Sequence, residues 1–421
     1  MIVDSQSESF PRTHRGVSEW LVIISALLIA FPFLKILPLS AEVQPLFLVS
    51  IFMLAIVRLR VRRALLIYLA IFIIPLSLGV FFYSITAVVA SLVAIATPIF
   101  LYELVRGQRK VLVARVILAS SIFYLLMAFM QAYLPVSANN ILLGPMKFLI
   151  PRMTLSPLSD WDRGISIIAS EPSTMAPMIF MVFAASIVLS SRGYNLRVFH
   201  PAMVGAACLF MIFQTKALTS FVLLFVFFIS ISLYYVLQLK LKTLFSVLIG
   251  SLALGLVIFP FFTFPERLTT LLDTEMNAES LFIVLDTVSS SRLVLSMGPF
   301  CNLVTSVDYT FGLGAWSEHS YEVSRCLSVD YADSERYKIT GGDLNGKPPS
   351  IISLLLLDVG PVAISILALF ACWLLQAARR SNEASSPWPL AFVLTSLFFI
   401  TVGGFPLTIP GFWVTLFLFV D

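Results

Sequence analysis

The chain has 421 residues, of which 59% are hydrophobic and 12% are charged, and its mean hydropathy is +0.97. Soluble domains have roughly 25% charged residues, so this composition excludes a soluble globular protein and indicates a helical membrane protein. The formal net charge of +4 comes from basic residues between apolar runs, which is a sign of membrane topology and gives no support to nucleic-acid binding.

Apolar runs of about 17 to 25 residues recur from Trp20 to the C-terminus, and such runs are long enough to cross a hydrocarbon core of about 30 Å as helices. The predicted fold is therefore all-α and polytopic, a single integral-membrane domain over residues 1–421. About twelve transmembrane helices are expected. The predicted spans are 20–37, 43–57, 64–82, 85–105, 111–133, 173–190, 198–214, 217–238, 243–262, 350–376, 387–404 and 407–420.

Basic residues mark every second loop between these spans. Because cytoplasmic loops are enriched in Lys and Arg, this alternation predicts that the basic loops and both termini are cytoplasmic. Two longer loops, 134–172 and 263–349, then lie on the opposite side, and loops of this length are often functional. The basic loops are RLRVRR (58–63), RGQRK (106–110), SRGYNLR (191–197), KLK (240–242) and ARR (378–380).

The sequence lacks the usual signatures of nucleotide and metal chemistry. It contains no GxxxxGK[ST] loop and no His/Cys spacing typical of a metal site, and it has three histidines. We therefore expect no metal and no cofactor, and ATP-driven transport is disfavoured.

Four cysteines divide between the spans and the long outer loop. Cys208 and Cys372 lie in predicted spans, whereas Cys301 and Cys326 share the loop 263–349. In an oxidising compartment these two could pair, which would close a loop of about 25 residues and contribute about 3 kcal/mol in the chain-entropy model. Two free thiols are the alternative, because residues of one loop need not be neighbours.

The first outer loop ends in RGISIIASEPSTMAP, residues 163–177. Ser170 or Glu171 followed by Pro172 predicts a helix start, since a capping residue precedes a proline in the first turn. Unpaired N–H groups at that helix end attract anions, and Arg163 adds a full positive charge, which favours a bound phosphate or carboxylate. The alternative is an interfacial ion pair between Arg163 and Glu171.

Lys216 is the only charge in QTKALTS, the hairpin 214–220 between two apolar spans. A charge near hydrocarbon usually has a partner or a function, although the side chain can also extend toward the interface. In the long outer loop, Arg292 is followed by apolar residues at near-helical spacing, which predicts an amphipathic helix. His319 is the one histidine of the outer loops, with an unperturbed pKa suited to proton transfer.

In this order, the motifs resemble the O-antigen polymerase (Wzy) and O-antigen ligase superfamily of bacterial membrane glycosyltransferases. The likeness covers roughly residues 160–370 and depends on order and sidedness, because each motif is short. The residues that carry it are Arg163-Gly164-Ile165, Glu171-Pro172-Ser173, Lys216 with Ala217-Leu218-Thr219-Ser220, Arg292, Phe311-Gly312-Leu313-Gly314 and His319.

The resemblance implies a GT-C-like enzyme that acts on undecaprenyl-pyrophosphate-linked oligosaccharides at the periplasmic face of the inner membrane, without a nucleotide sugar or a metal. Lys216 stands where many relatives have arginine, and Arg292 matches the arginine that opens the late-loop helix. His319 falls near the loop histidine of the ligases. Ser320 follows His319 where the ligases have asparagine, which favours a polymerase. Membrane lipid and a Wzz-type chain-length regulator are the implied partners.

The residue types suit this reaction. Breaking a sugar–pyrophosphate bond adds negative charge to a leaving group that is already an anion, so fixed cations are needed, and Arg163, Lys216 and Arg292 are the candidates. Glu171 or His319 could accept the proton of the attacking hydroxyl. Tyr309, Tyr321, Trp316 and Trp161 could stack on sugars or anchor the chain at the interface.

Three other functions remain open at this stage. One is a structural or scaffolding membrane protein, which would leave an apolar groove and its cationic rim unexplained. An O-antigen ligase differs in its acceptor, which is lipid A core. A transporter or flippase, from another class, predicts ionisable residues or broken helices at mid-membrane, and the closest match is Pro177 in the span 173–190.

Overall fold

The computed structural model is all-helical over the residues that it describes: 12–34, 48–49, 51–52, 74–134, 165–167, 169, 172–194, 199–238, 311–318, 350–380, 386–401 and 409–420. Within these ranges we number eleven helices. They are α1 (Arg12–Ala30), α2 (Ile85–Val105), α3 (Arg109–Tyr133), α4 (Pro172–Ser191), α5 (Pro201–Thr215), α6 (Leu218–Leu237), α7 (Ala315–Glu318), α8 (Ile351–Val359), α9 (Val362–Arg380), α10 (Trp388–Thr401) and α11 (Pro410–Leu418).

Four helices of the described part are long and apolar enough to cross a membrane: α2, α3, α4 and α6. A helix of about 20 residues is about 30 Å long, which matches the hydrocarbon core. Large apolar side chains remain exposed on the outer helices, including Phe225 at 67% and Leu369 at 72%. The protein is therefore a helical membrane protein whose outer surface suits lipid.

Helix α4 lies at the centre of the bundle. In an 18-residue stretch of α4, 83% of the residues are buried, against 33% in α2 and in α6. It packs against α3, α5, α6 and α11. The contact with α11 is especially close, because a Cβ added at Gly411 would lie 2.5 Å from the carbonyl oxygen of Pro177. Helix α4 therefore needs glycine on its neighbour as well as apolar residues on every side.

Side-chain contacts fix which helix ends lie together. At one end, Lys110 at the start of α3 donates from Nζ to the carbonyl oxygen of Val420, just after α11, at 3.2 Å. At the other end of α3, Gln131 contacts Ile167, just before α4. We call the first of these two ends of the bundle the Lys110 end. We call the second the Lys216 end, because the α5–α6 hairpin that contains Lys216 is hydrogen-bonded to the segment of Ile167.

The predicted spans agree with the observed helices for α2 to α6, and three differences appear elsewhere. The span predicted at 350–376 is two helices, α8 and α9, because Gly360 has φ +86° and Pro361 cannot donate a backbone hydrogen bond. Helix α1 ends at Ala30, short of the predicted end at 37. Helix α11 has nine residues and a length of only about 13 Å, so the run 407–420 is not one long helix.

The remaining predicted spans lie largely outside the described residues. This holds for 43–57, for 243–262 and for 64–82, of which residues 74–82 are helical. The outer loops 134–172 and 263–349 are described at 165–167, 169 and 311–318, apart from their boundary residues. Both described segments, 165–167 with 169 and 311–318, are hydrogen-bonded to the bundle.

Candidate functional site

Lys216 lies in the tight hairpin between α5 and α6. Its backbone is left-handed, with φ +47° and ψ +18°, and its N–H donates to the carbonyl oxygen of Phe213 at 3.2 Å. Helices commonly end on such a residue, but glycine is preferred there because a Cβ costs about 1–2 kcal/mol in this conformation. A half-buried lysine at this position therefore indicates that its side chain, not its backbone, accounts for its presence.

Buried hydroxyl groups hold the hairpin in shape. Thr215 Oγ1 donates to the carbonyl oxygen of Ile212 at 2.7 Å and lies 3.2 Å from Ser220 Oγ. Both Thr215 and Ser220 are fully buried. The backbone N–H of Ser220 also donates to Ala217 across the turn, at 2.9 Å. The polar residues of the QTKALTS motif thus close the hairpin inside the protein and fix the backbone of Lys216.

The loop before α4 is hydrogen-bonded to this hairpin. The backbone N–H of Ile165 donates to the carbonyl oxygen of Gln214 at 3.0 Å. The sequence motifs Arg163-Gly164-Ile165 and QTK therefore meet through their backbones, although about fifty residues separate them. Arg163 and Lys216 are the two cations predicted in this region. Ile165 is two residues after Arg163, and Gln214 is two residues before Lys216.

Ile167 has the second unusual backbone of the region. Among the described residues, Ile167 (φ +57°) and Lys216 are the two non-glycine residues with positive φ. Left-handed backbone is rare for a β-branched residue and persists only where the surroundings impose it. Ile167 is fully buried and lies two residues after Ile165. Backbone strain is therefore concentrated on the two segments that the Ile165–Gln214 bond connects.

Gln131 of α3 holds Ile167 in this conformation. Its Nε2 donates to the carbonyl oxygen of Ile167 at 2.6 Å, and its Oε1 accepts from the N–H of Ile167 at 3.0 Å. Two buried hydrogen bonds contribute about 1 kcal/mol each, and the buried Ile167 side chain contributes about 2 kcal/mol. These terms together exceed the cost of the left-handed backbone, about 1–2 kcal/mol. We call this arrangement the Gln131 clamp.

Sequence reasoning missed the Gln131 clamp. Gln131 lies inside the predicted span 111–133, and one uncharged polar residue has little effect on the hydropathy of such a span. The available signal was an amide group near the end of an apolar run, because a buried amide must find partners. Which partners it finds depends on tertiary contacts, since Ile167 is 36 residues away.

The motif Phe311-Gly312-Leu313-Gly314 forms a turn that enters the bundle from the long outer loop. Gly312 donates to the carbonyl oxygen of Leu357 at 3.0 Å, and Leu313 donates to that of Pro75 at 2.9 Å. The turn fits because its neighbours are small: a Cβ at Gly79 would lie 2.2 Å from the carbonyl oxygen of Leu313. The middle of the loop 263–349 is therefore anchored between residues 74–82, α2 and α8.

A buried carboxylate fixes this turn. Asp358, with no exposed surface, accepts at Oδ1 from the backbone N–H of Trp316 at 3.0 Å and of Gly314 at 3.3 Å. Ser91 Oγ of α2 also accepts from Gly314, at 3.2 Å. Among the described residues, Oδ2 of Asp358 has no hydrogen-bond partner. The sequence signal was a lone acid within the predicted span 350–376, and that signal was overlooked.

Of the site residues predicted from sequence, Lys216 lies within the described part of the chain, and so does Trp316, which is half-buried. The others lie outside the described residues: Arg163, Glu171, Arg292, His319, Cys301, Cys326, Trp161, Tyr309 and Tyr321. The structure therefore brings together the segments next to Arg163 and Lys216, and it leaves the positions of Arg292 and His319 as predictions.

Two cysteines, Cys208 and Cys372, lie among the described residues, and both are free thiols. Cys208 is buried, with Sγ 3.6 Å from the carbonyl oxygen of Ile179, and Cys372 is exposed. No group of three or more His, Cys, Asp or Glu residues in the described ranges is arranged to hold a metal ion. No family model, curated protein or solved structure matches this chain. Its function is therefore inferred from its own residues.

Proposed function

We propose that the protein is a membrane glycosyltransferase, an O-antigen (surface polysaccharide) polymerase. It joins undecaprenyl-pyrophosphate-linked oligosaccharide repeat units at the periplasmic face of the bacterial inner membrane and releases polyprenyl pyrophosphate. The observation that carries the proposal is the hydrogen bond from Ile165 to Gln214, which connects the Arg163 motif to the Lys216 hairpin.

The sidedness of the bundle supports this assignment. The basic turn between α2 and α3, with Arg106 and Arg109, belongs to the Lys110 end, and Lys216 belongs to the opposite end. Because basic loops are cytoplasmic, the Lys216 end then faces the periplasm. We infer that the chain has about twelve spans with both termini in the cytoplasm, so that α2 to α6 alternate in direction.

The proposed site supplies fixed positive charge for a leaving pyrophosphate. Lys216 is half-buried in a hairpin whose backbone is held by Thr215 and Ser220, which fixes the point from which its charged side chain extends. In the sequence, Arg163 stands two residues before Ile165. Arg163 and Lys216 are therefore the proposed pyrophosphate-binding pair, and Arg292 is the third proposed cation.

In the proposed reaction, a hydroxyl group of the acceptor sugar attacks the anomeric carbon of the donor glycan. The new glycosidic bond forms as the bond from that carbon to the pyrophosphate oxygen breaks. The hydroxyl proton passes to Glu171 or His319, the two proposed bases, and the electron pair leaves with the polyprenyl pyrophosphate. The reaction needs no cofactor. A Wzz-type chain-length regulator is the proposed protein partner.

The transporter alternative predicts ionisable residues at mid-membrane. The described part contains two buried charged residues, Lys110 and Asp358, and both lie near helix ends with protein partners. Lys110 binds the last turn after α11, and Asp358 binds the turn at Gly314. These contacts give both residues structural roles, but Asp358 also lies beside the break at Gly360 and Pro361 within the predicted span 350–376, and this is the feature of the described part that favours the transporter alternative.

Deletion of the gene in its host tests the proposal. A polymerase deletion leaves lipopolysaccharide capped with a single repeat unit, and the wild-type gene restores the ladder of longer chains. A ligase deletion instead leaves uncapped core and accumulated lipid-linked polymer. An unchanged ladder in the deletion strain would contradict both functions.

A further inference from the structure

We propose that Gln131 is a positioning residue for pyrophosphate binding, acting through the backbone of Ile167 on the loop that is bonded to the Lys216 hairpin. The inference rests on the proposed function, and it adds a residue of α3 to a site that the sequence assigned to α4, α5 and the outer loops. Gln131 itself is 5% exposed and touches no part of the substrate in this account.

The geometry makes the Gln131 clamp specific for one backbone conformation. Both polar atoms of the Gln131 amide are used on one residue, at 2.6 Å to the carbonyl oxygen and 3.0 Å to the N–H of Ile167. A single hydrogen bond from Gln131 would be compatible with several backbone conformations of the loop. Two hydrogen bonds to the N–H and the carbonyl oxygen of the same residue restrict that residue to one conformation. The pair holds Ile167 at φ +57°, a conformation that an isoleucine does not adopt unaided.

The clamped residue is directly connected to the proposed site. Ile165, two residues earlier, donates to the carbonyl oxygen of Gln214, the second residue before Lys216. The three residues Ser166, Ile167 and Ala169 are all nearly or fully buried, and Ala169 donates to Ser166 at 2.9 Å. The loop therefore has a single packed arrangement between Gln131 and Gln214, and a change at Ile167 is transmitted to the hairpin.

The strain has a simple interpretation in this light. Glycine would adopt the backbone of Ile167 freely, but it would allow many others, so the loop would lose its fixed position. Isoleucine with the Gln131 clamp gives one conformation, which a site for a doubly charged headgroup needs, because a displacement of about 1 Å weakens such interactions severely.

The test uses the full-length protein in lipid nanodiscs, with farnesyl pyrophosphate as a short polyprenyl pyrophosphate probe and farnesyl monophosphate for comparison. Gln131→Met removes both hydrogen bonds at similar volume. Tyr124→Phe is the matched control: the Tyr124 hydroxyl is buried on the same helix, about 10 Å along its axis from Gln131, and donates to the carbonyl oxygen of Ala30. Dissociation constants and thermal midpoints are measured for each protein.

We expect wild type and Tyr124→Phe to bind farnesyl pyrophosphate with equal affinity, although Tyr124→Phe lowers the thermal midpoint. Gln131→Met should bind at least tenfold more weakly. Ile167→Gly should also weaken binding, and the double variant Gln131→Met with Ile167→Gly should lose less affinity than the product of the two single losses, because both changes release the same backbone.

Equal affinity of Gln131→Met and wild type would overturn the positioning role. So would a double variant whose loss of affinity equals the product of the two single losses, because the two residues would then act independently. If Gln131→Met does not fold, Gln131→Asn replaces it, with one methylene less and the same criterion. Failure of wild type and Tyr124→Phe to prefer pyrophosphate over monophosphate would contradict the proposed function itself.

Discussion

Replacing Lys216 by glycine separates the function of this residue from its effect on stability. The backbone of Lys216 is left-handed, with φ +47°, and relief of that conformation contributes about 1–2 kcal/mol. Glycine gains entropy in the unfolded chain, which offsets about 0.5–1 kcal/mol of this. Lys216→Gly should therefore be as stable as wild type or more stable by up to about 1.5 kcal/mol.

The same substitution removes a charge from the proposed pyrophosphate site. A lost transition-state partner of this type typically lowers the rate by about 10²–10³-fold, equivalent to about 2.7–4 kcal/mol. Lys216→Arg retains the charge and should keep most of the activity, whereas Lys216→Ala should lose the charge and keep the strained backbone. We therefore expect wild type to be the most active protein, followed by Lys216→Arg, with Lys216→Gly and Lys216→Ala equally low in activity. Lys216→Gly should be the most stable of the four.

The assay follows polymer length on gels after purified protein is mixed with lipid-linked repeat units, and thermal midpoints are recorded by size-exclusion chromatography after heating. Wild-type polymer levels from Lys216→Gly would refute a role for the Lys216 charge. A strongly lowered midpoint for Lys216→Gly would refute the assignment of left-handed strain at this position.

Three further predictions concern the framework and the outer loop. Asp358→Ala removes the Oδ1 acceptor of the Trp316 N–H and leaves the Gly314 N–H with Ser91 Oγ, so it should lower stability by about 1–3 kcal/mol, whereas Asp358→Asn keeps the Oδ1 acceptor and should be milder in the same thermal assay. Gly79→Ala should abolish folded yield, since its Cβ would lie 2.2 Å from a carbonyl oxygen, whereas Gly205→Ala, at 3.4 Å from a flexible ring, should express normally. If Cys301 and Cys326 are paired, thiol alkylation without reductant should label neither; labelling of both would rule the bridge out.

Local signals in the sequence predicted the long helices well. Helix α2 spans Ile85–Val105, the same residues as the predicted run, because Ser84 caps its start and the polar turn after Val105 ends it. The break between α8 and α9 also had a local signal, Gly360 followed by Pro361. That signal was outweighed by hydropathy, because the residues on both sides of the break are mainly apolar.

The parts of the site that were missed depend on contacts between distant residues. Gln131 meets Ile167 across 36 positions, and Asp358 meets Gly314 across 44. Periodicity and hydropathy carry no information on such pairs. The sequence does show the residue types, because Gln131 and Asp358 are an amide and a carboxylate inside apolar runs. A buried polar group of either kind needs hydrogen-bond partners within the protein.

Reconstitution of the purified protein tests the central claim most directly. Proteoliposomes are supplied with undecaprenyl-pyrophosphate-linked repeat units, with a chelator present and without nucleotide sugar. The account predicts a ladder of longer glycans and one released undecaprenyl pyrophosphate for each new linkage. Repeat units that remain single, or that cross the bilayer intact without release of undecaprenyl pyrophosphate, would contradict it.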